Sequence, residues 1–417
     1  MAFPTSGRFN LRVAIGPARS NSNDDVVFNA LLIDKIFMMN ATNEPRRITG
    51  PLHGVRVLEL AGLGPAPFCG MLLSDLGAQV VRITRPGAPS QNFETVLDRG
   101  RVSLSLDLKQ TFGIEVCRAL VKRADILIEG FRPGVMEHLG LGPDTLLHDN
   151  AKLVYGRMTG WGQSGPNAHT AGHDINYIAI SGALHAVGES AKPTPPLNLV
   201  GDFGGGALYL AMGVLAALLS ARASGRGQVV DCAMTDGAAS LMSMMFGLKA
   251  KGEWREQRQA NLLDGGAPFY DTYRCADDKW ICIGALEPQF FAQLLSKLQI
   301  PAAEFPDHWD RSGWPAMRAK FERIFQGKTQ AQWCELLENT DACFAPVLPM
   351  SDAVKHPHNV ARGTFTCHSG IVQPAPAPRF SLTPTSIQDS AQVDVATLRA
   401  WQLPESLIDQ LISRTRS

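Results

Sequence analysis

Metal-ligand spacing is missing from this sequence of 417 residues. Its eight cysteines stand apart, without a C-x-x-C pair, and its ten histidines are dispersed except for His356 and His358. Those two lie in a polar HPH segment, as surface residues do. We therefore expect reduced thiols, as in an intracellular protein, and no bound metal.

A net charge is missing as well, because Lys and Arg together number 39 and Asp and Glu together also number 39. Such a balance gives no overall field that favours nucleic acid or an anionic membrane as a partner. An anionic ligand must then be held by a local cluster of cations. The apolar run at 206–221 is about 16 residues with internal glycine, short of the ~20 that span a bilayer. We expect a buried helix there and no membrane segment.

Acidic residues are missing from the start of the chain, where Arg8, Arg12 and Arg19 precede the first of them, Asp24. This basic bias is typical of an organellar presequence. A non-folding extension, or a start assigned ahead of Met38 or Met39, explains the same composition. The expected location is intracellular: the cytoplasm for a bacterial protein, and a mitochondrion or peroxisome for a eukaryotic one.

From Pro51 onward, strand and helix patterns alternate. Helices are predicted at 68–76, 111–123 and 206–221, and short apolar runs predict strands at 55–60, 79–83, 103–107, 124–128, 153–157 and 229–234. Strands separated by helices indicate βαβ units and a parallel sheet. The first turn, AGLGPAP, lacks the second and third glycines of a dinucleotide fingerprint, so the pattern does not indicate NAD.

A second, smaller region follows from about residue 262, with a predicted strand at 280–283 and helices at 288–299 and within 315–339. The Pro-rich segment 371–385 predicts an extended linker, and 403–414 predicts a last helix. The fold class is therefore α/β, with a Rossmann-like parallel-sheet large domain and a smaller α+β domain. The predicted segments are an N-terminal extension 1–50, the large domain 51–235, a linker 236–261, the small domain 262–350, and a return linker with a C-terminal helix that packs on the large domain, 351–417.

Two ionisable residues have settings that indicate function: His173 in AGHDINY and Asp202 in NLVGDFGGG. Both segments predict glycine-broken loops that present side chains to a cleft. A histidine and a carboxylate that converge on one carbon can remove a proton from one face and return it to the other. Each residue alone also has an ordinary explanation, as a structural histidine and as a helix N-cap.

Residues from about 51 to 385 resemble the family III CoA-transferase superfamily. The segments that carry the resemblance include LAGLGPAPFCGMLLSDLGAQVVRITRP, IEGFRPGVMEHLGLGP, RMTGWGQSGP, PPLNLVGDFGGG and GRGQVVD. AGHDINY, LDGGAPFY and GALEPQF are more specific, since they resemble the α-methylacyl-CoA racemase branch of that superfamily.

The resemblance implies that His173 and Asp202 are the two proton carriers and that Glu287, in GALEPQF, hydrogen-bonds the histidine. It implies the epimerisation of 2-methylacyl-CoA thioesters at the α-carbon. Because chains of this family interlock, it also implies a homodimer in which Glu287 comes from the other subunit. Asn198 either orients Asp202, contacts the thioester or is a turn amide.

The proton α to a thioester can be removed by a side chain only where the developing enolate oxygen is stabilised. Gly204, Gly205 and Gly206 follow Asp202 and permit backbone amides to approach a ligand closely. A helix that starts there would add a positive partial charge. We therefore expect this turn, including the amide of Asp202, to bind the enolate oxygen.

CoA carries a 3′-phosphate and a pyrophosphate, which require cationic donors. For the phosphates the resemblance points to Arg85, Lys109 and Arg132. The other positions that it assigns to the CoA path are Leu63, Leu106, Gly130, Phe131, His138 and Tyr177. Phe131 is expected to cover the adenine. His138 stands where the branch usually has arginine, so it is expected to bind phosphate weakly or only as the charged imidazole. No separate cofactor is expected, since CoA is part of the substrate.

Two other functions are compatible with these residues. In a CoA-transferase, Asp202 would attack an acyl-CoA and form a mixed anhydride and then an aspartyl-CoA thioester. His173 and Glu287 argue against it, since a transferase does not need a two-base pair. A non-catalytic acyl-CoA-binding homologue is disfavoured because all three residues are retained. The sequence does not indicate which acyl chain is bound. Met158, Met242, Met244 and Met245 form either a pliable apolar surface that accepts it or part of the core.

Overall fold

The computed structural model describes residues 50–87 and 96–415. The predicted N-terminal extension lies almost entirely outside these residues. The chain divides into a unit of Ile48–Phe365 with Gln373–Ser417 and another of Met1–Arg47 with Thr366–Val372. The described residues of the second unit belong to the short two-stranded sheet formed by Phe365–His368 and Ile371–Pro374. The other features below belong to the first unit.

The described residues form twelve strands. They are β1 Arg56–Leu60, β2 Gln79–Thr84, β3 Arg101–Ser105, β4 Ile126–Glu129, β5 Val154–Thr159, β6 Gln228–Ala233, β7 Tyr270–Arg274, β8 Trp280–Gly284, β9 Phe344–Val347, β10 Phe365–His368, β11 Ile371–Pro374 and β12 Ala391–Gln392.

The described α-helices begin after β1 and continue to the end of the chain. They are α1 Pro65–Asp75, α2 Thr111–Val121, α3 Val135–His138, α4 Pro143–Asp149, α5 Asp174–Ile180, α6 Ala183–Ala186, α7 Leu208–Ser224, α8 Met234–Leu241, α9 Ser243–Ala250, α10 Pro288–Lys297, α11 Trp314–Phe325, α12 Gln330–Leu337, α13 Met350–Ala353, α14 Pro357–Arg362, α15 Val395–Ala400 and α16 Glu405–Thr415. A π-helix, π1, spans Leu199–Ala207, and short 3₁₀ helices span Ala302–Glu304 and Arg311–Gly313.

Seven strands form one sheet in the order β12-β3-β2-β1-β4-β5-β6. Every neighbouring pair in it is parallel. The order 3-2-1-4-5-6 is that of Rossmann-like sheets, in which the chain reverses direction of winding between the first and fourth strands. The predicted α/β fold class is confirmed.

Both faces of this sheet are covered, as expected for parallel strands with apolar sequences. Successive residues of a strand point to opposite faces. In β1, Leu58 belongs to one buried cluster and Val57 to another. The cluster of Leu58 includes Leu398 and Trp401 from the end of the chain, while the cluster of Val57 includes apolar residues of α7. The C-terminal segment therefore completes one side of the core, and β12 extends the edge of the sheet.

A second sheet is antiparallel and has the order β7-β8-β9. It packs with α10, α11 and α12 around its own buried cluster, which includes Phe269, Tyr273, Phe321 and Phe325. These strands and helices match the mixed elements predicted for the smaller region. The domain boundaries given above stay predictions.

The sequence patterns misplaced three elements. The strand predicted at 103–107 is Arg101–Ser105, because Arg101 is buried through its pairing with Glu59 and does not mark a surface position. The helix predicted at 206–221 is preceded without a break by π1, and the two together make Leu199–Ser224, which is long and apolar enough by length and composition to cross a membrane. The expectation of a buried helix is only partly met, because Leu208, Met212 and Leu219 are exposed. The start of the predicted linker 371–385 is β11, which pairs with β10.

Candidate active site

The candidate site is at the carboxyl edge of the parallel sheet. Ligands of such sheets bind outside the carboxyl ends of the strands, where the winding direction reverses. Here the reversal lies between β1 and β4. The turn 61–64 follows β1 and the turn 130–132 follows β4, so both flank the crevice at this point.

His173 is the residue immediately before α5 and caps its N-terminus. The Asn176 Oδ1 atom accepts a hydrogen bond of 3.0 Å from the His173 backbone amide, which fixes the start of the helix. The His173 side chain is exposed. It is therefore not a buried structural histidine, and it is accessible to a substrate.

Asp202 lies within π1, where the wide turns of a π-helix often mark functional positions. Its carboxylate is half-buried, and the Asn198 side-chain amide donates a hydrogen bond of 3.4 Å to Oδ2. Gly64 of the turn after β1 has a φ of 71°, and a Cβ at Gly64 would lie 3.3 Å from Asp202 Oδ2. The first turn therefore reaches Asp202 closely, and Asp202 is not the N-cap that the sequence also allowed.

Asp174, the first residue of α5, and His173, which precedes it, both act on the acidity of Asp202. Burial raises the pKa of its carboxyl, and the negative charge of Asp174 raises it further. The hydrogen bond from Asn198 and a charged His173 imidazole act in the opposite direction and lower the pKa, but on balance it is raised. The influence of His173 means that the two predicted proton carriers lie within electrostatic range of each other.

The predicted donor to the enolate oxygen is not supported at Asp202. Its backbone amide donates a hydrogen bond of 2.7 Å to the Asp174 Oδ2 atom and so is already engaged. Close packing explains why glycines follow Asp202. A Cβ at Gly205 would lie 2.6 Å from the Ala238 backbone nitrogen, and one at Gly206 would lie 2.9 Å from Met234 Cγ. These glycines permit α8 to pack against π1.

The three predicted phosphate-binding cations all follow strand ends at the carboxyl edge. Arg85 follows β2, Lys109 follows β3 and Arg132 follows β4. All three are exposed, and none forms an ion pair with another residue in the ranges 50–87 and 96–415. The charge of Arg132 also lowers the pKa of Tyr177, which burial and Asp202 raise. Arg132 thus links the predicted CoA path to the proton carriers.

The other CoA candidates differ in their exposure. Leu63 is exposed beside the crevice, and Gly130 is exposed in the turn after β4. Leu106 is only 5% exposed and belongs to the sheet core. The prediction that the Leu106 side chain lines the ligand path is therefore not supported. Tyr177 is buried with its ring centroid 4.7 Å from that of Trp161, and its phenol donates to the Gly172 carbonyl.

Phe131 is positioned by a network that the sequence patterns did not reveal. Its amide donates a hydrogen bond of 2.7 Å to Glu129 Oε2, and Arg157 Nε donates one of 2.9 Å to Glu129 Oε1. Arg157 also contacts Glu137 of α3. The charged residues inside the apolar strand segments ILIE and VYGRMT were the one feature of the sequence that could have indicated this network.

His138, at the end of α3, is exposed with Nδ1 directed at the Gly134 carbonyl.

Glu287 precedes α10 and is exposed, near Cys343, whose pKa is raised by burial and then by the Glu287 charge. Among the described residues of this one chain, Glu287 makes no hydrogen bond to His173. The structure thus brings His173, Asp202 and Asn198 together, and it does not bring Glu287 to them.

The four methionines have different surroundings. Met158 is buried in the sheet core. Met242 and Met245 line a cavity of about 350 Å³ beyond the C-terminal end of α5, together with Ile180, Phe246 and Trp254. Met244 is exposed on α9. Only the last three are therefore available as an apolar surface.

The family model described as CoA-transferase family III matches residues 52–391. The chain belongs to this family. A relative named Alpha-methylacyl-CoA racemase, from Mus musculus, is 50% identical over 335 residues, which cover 80% of this chain and 87% of that protein. The protein of the same name from Homo sapiens is 47% identical over the same coverage.

A solved structure of a similar protein agrees with the fold. A CaiB/BaiF family protein from Brucella suis superposes with a TM-score of 0.71 at 25% sequence identity. The match covers 87% of this chain and 100% of that chain. The likeness in fold thus extends over the whole length of that chain.

Proposed function

We propose that this family III protein epimerises 2-methylacyl-CoA thioesters at the α-carbon, with His173 and Asp202 as the two proton carriers. The observation that carries the proposal is the placement of a half-buried carboxyl of raised pKa beside an exposed histidine. The name of the relatives that are 50% and 47% identical supports the same reaction.

The proposed reaction moves two protons. The basic member of the pair removes the α-proton, and the electron pair of the C–H bond passes into an enolate. The acidic member then donates its own proton to the opposite face of the same carbon. The pair therefore needs one proton shared between its two members, with neutral His173 beside protonated Asp202 or charged His173 beside ionised Asp202. The raised pKa of Asp202 supports its service as an acid.

CoA is proposed as the recognised part of the substrate, and no separate cofactor is required. Arg85, Lys109 and Arg132 would bind its phosphates, because they are exposed cations at the carboxyl edge and have no carboxylate partner in the described part of the chain. The acyl chain would extend along α5 toward the cavity lined by Met242 and Met245.

A homodimer is part of the proposal. The exposed residues Leu208, Met212 and Leu219 of α7 are 51%, 61% and 70% accessible and recur at helical spacing. An apolar stripe of this kind is typical of a protein interface. Glu287 makes no hydrogen bond to His173 among the described residues of one chain. In the homodimer it would reach His173 of the partner subunit.

The family name supports a second candidate, a CoA-transferase in which ionised Asp202 attacks the thioester carbonyl and expels CoA thiolate. That mechanism needs Asp202 as an anion, whereas burial and Asp174 both favour its protonated form. It also gives no role to His173. We therefore place the transferase second.

One experiment separates the two reactions. The protein is incubated in deuterium oxide with a panel of single-epimer 2-methylacyl-CoA thioesters, and both α-deuterium content and epimer ratio are followed. Deuterium gain together with epimerisation is the expected result. Movement of CoA to an added carboxylate, with no α-exchange, would instead establish the transferase.

A further inference from the structure

We infer that Asp174 is a positioning residue for the proton transfer, because its buried carboxylate holds the backbone of Asp202 and thereby sets where the Asp202 side chain points. The inference rests on the proposed function. It assigns a role in that reaction to a residue that follows His173 directly in sequence.

The contact is short and shielded from water. Asp174 is 7% exposed, and its Oδ2 atom accepts the hydrogen bond of 2.7 Å from the Asp202 amide. Its Oδ1 atom is also buried and accepts no hydrogen bond from the described residues. A carboxylate in such surroundings is costly to bury, and surface solvation does not explain its presence there. Its engaged oxygen points to a role at the Asp202 backbone.

The π-helix explains why Asp202 needs such a partner. The first amides of any helix lack an acceptor within the helix. In π1 the Phe203 amide donates to the Asn198 carbonyl at 3.2 Å, which is the five-residue spacing of a π-helix. The Asp202 amide comes one residue earlier, and the Asp174 carboxylate takes the place of the missing acceptor.

Gly201 makes this approach sterically possible. A Cβ at Gly201 would lie 2.6 Å from Asp174 Oδ2 and 2.8 Å from its Cγ. No side chain is therefore compatible with Asp174 in its present place. The glycine before Asp202 and the aspartate after His173 form one matched contact, so the first turn of α5 fixes both proton carriers relative to each other.

The charge of Asp174 has a second effect on the same carboxyl. The groups that act on the Asp202 carboxyl are Asp174 of α5, His173 just before α5 and Asn198 just before π1. Asp202 and Arg132, from the turn after β4, act in turn on Tyr177. Burial is the largest cause of the raised pKa of Asp202, and the negative charge of Asp174 is the next largest. Asp202 therefore keeps its proton to higher pH than an exposed aspartate does, and removal of the Asp174 charge should lower its pKa.

Two variants separate position from charge. Asp174→Asn keeps an oxygen acceptor for the Asp202 amide and removes the charge, so the acidic limb of the kcat profile should move to lower pH while KM for the thioester stays close to that of the parent. Asp174→Ala removes the acceptor as well. It should lower kcat by about 100-fold, as misplacement of a reacting group does, with KM again little changed.

Binding of CoA and circular dichroism serve as controls that each variant is folded. If Asp174→Ala does not fold, Gly201→Ala makes the same comparison, because its Cβ would displace the Asp174 Oδ2 atom from the Asp202 amide. A parent that exchanges the α-proton, with a folded variant of this kind whose kcat is close to that of the parent, would overturn the positioning role of Asp174 and leave the proposed function intact. A parent that exchanges no α-proton would overturn both.

Discussion

At the scale of single residues, His173 and Asp202 should each be needed for epimerisation. Replacing either by alanine is expected to lower the rate by at least ~100-fold, the lower end of what a positioned acid or base contributes. The measurement is the epimerisation rate of a single-epimer 2-methylacyl-CoA, with CoA affinity as the control for folding. Each variant should lose α-deuterium exchange from one epimer more than from the other. Near-parent epimerisation by either variant would contradict the two-base assignment.

The cations at the sheet edge should act on binding and not on chemistry. Neutralising Arg85, Lys109 or Arg132 with glutamine removes a charged contact to phosphate, which contributes the same in the ground and transition states. KM should rise by roughly 10-fold or more, as expected for a hydrogen bond to a charged group, while kcat changes little. Arg123, which is exposed just beyond the C-terminal end of α2, offers a matched control. Parent affinity for CoA in all three variants would mean that the nucleotide binds elsewhere.

The roles of His173 and Asp202 stay predictions, which came from the resemblance of their segments to the racemase branch. The structure places both residues in one region, together with Asn198. Asp174 was not identifiable from the sequence, because a carboxylate in the first turn of a helix has an ordinary explanation in the helix dipole. Its importance depends on Gly201, which lies far from it in sequence and which no local pattern connects to it.

At the scale of elements, the packing of π1 against α8 should depend on Gly205. A Cβ at this position would meet the Ala238 backbone nitrogen at 2.6 Å, and backbone cannot move aside as a flexible side chain can. Gly205→Ala should therefore lower the free energy of unfolding by about 1–3 kcal/mol, as overpacking does. The measurement is urea-induced unfolding followed by circular dichroism.

Gly247 of α9 provides the control for this prediction. A Cβ there would meet nothing within 4 Å, so Gly247→Ala adds helix propensity without a clash. It should leave the protein equally stable or raise its stability by up to about 1 kcal/mol. Equal stability of the two variants would show that Gly205 is not in close contact with α8.

The strands of the large sheet could be predicted because buried parallel strands are short apolar runs bounded by turns. The π-helix could not, because the pattern LVGDFGGGA contains three consecutive glycines that favour a loop and no periodicity that distinguishes wide helical turns from ordinary ones. It forms here through tertiary contacts with Asp174 and α8. Strand β12 was also missed, since two residues, Ala391 and Gln392, give too little pattern to detect.

At the scale of the whole molecule, the active site should be shared between two subunits. His173→Ala and Glu287→Gln should each be nearly inactive as homodimers. When the two variants are unfolded together and refolded, a mixed dimer would carry one site with both substitutions and one with neither. Activity should then return to roughly a quarter of the parent level if the chains pair at random. The control is separate refolding of each variant.

Sedimentation at dilute concentration provides the accompanying measurement. The parent should remain a dimer, because the proposed interlocked interface would cover the exposed residues Leu208, Met212 and Leu219 and would be apolar and large. A fully active monomer, or the absence of recovery in the mixed sample, would contradict the shared site.

The return of the chain end to the first sheet has a consequence for synthesis. Ala391 pairs with Val102. Five residues from the end of the chain complete a core whose other buried members come from the first half of the chain, and they are Leu398, Trp401, Leu403, Ile408 and Leu411. Because the N-terminal part is synthesised first, one edge of the large sheet and part of one apolar face stay uncovered until translation is nearly finished. Strands β7, β8 and β9 have no such delay. Nascent chains and premature-termination products that end before Ala391 should therefore be the species that chaperones bind and that aggregate.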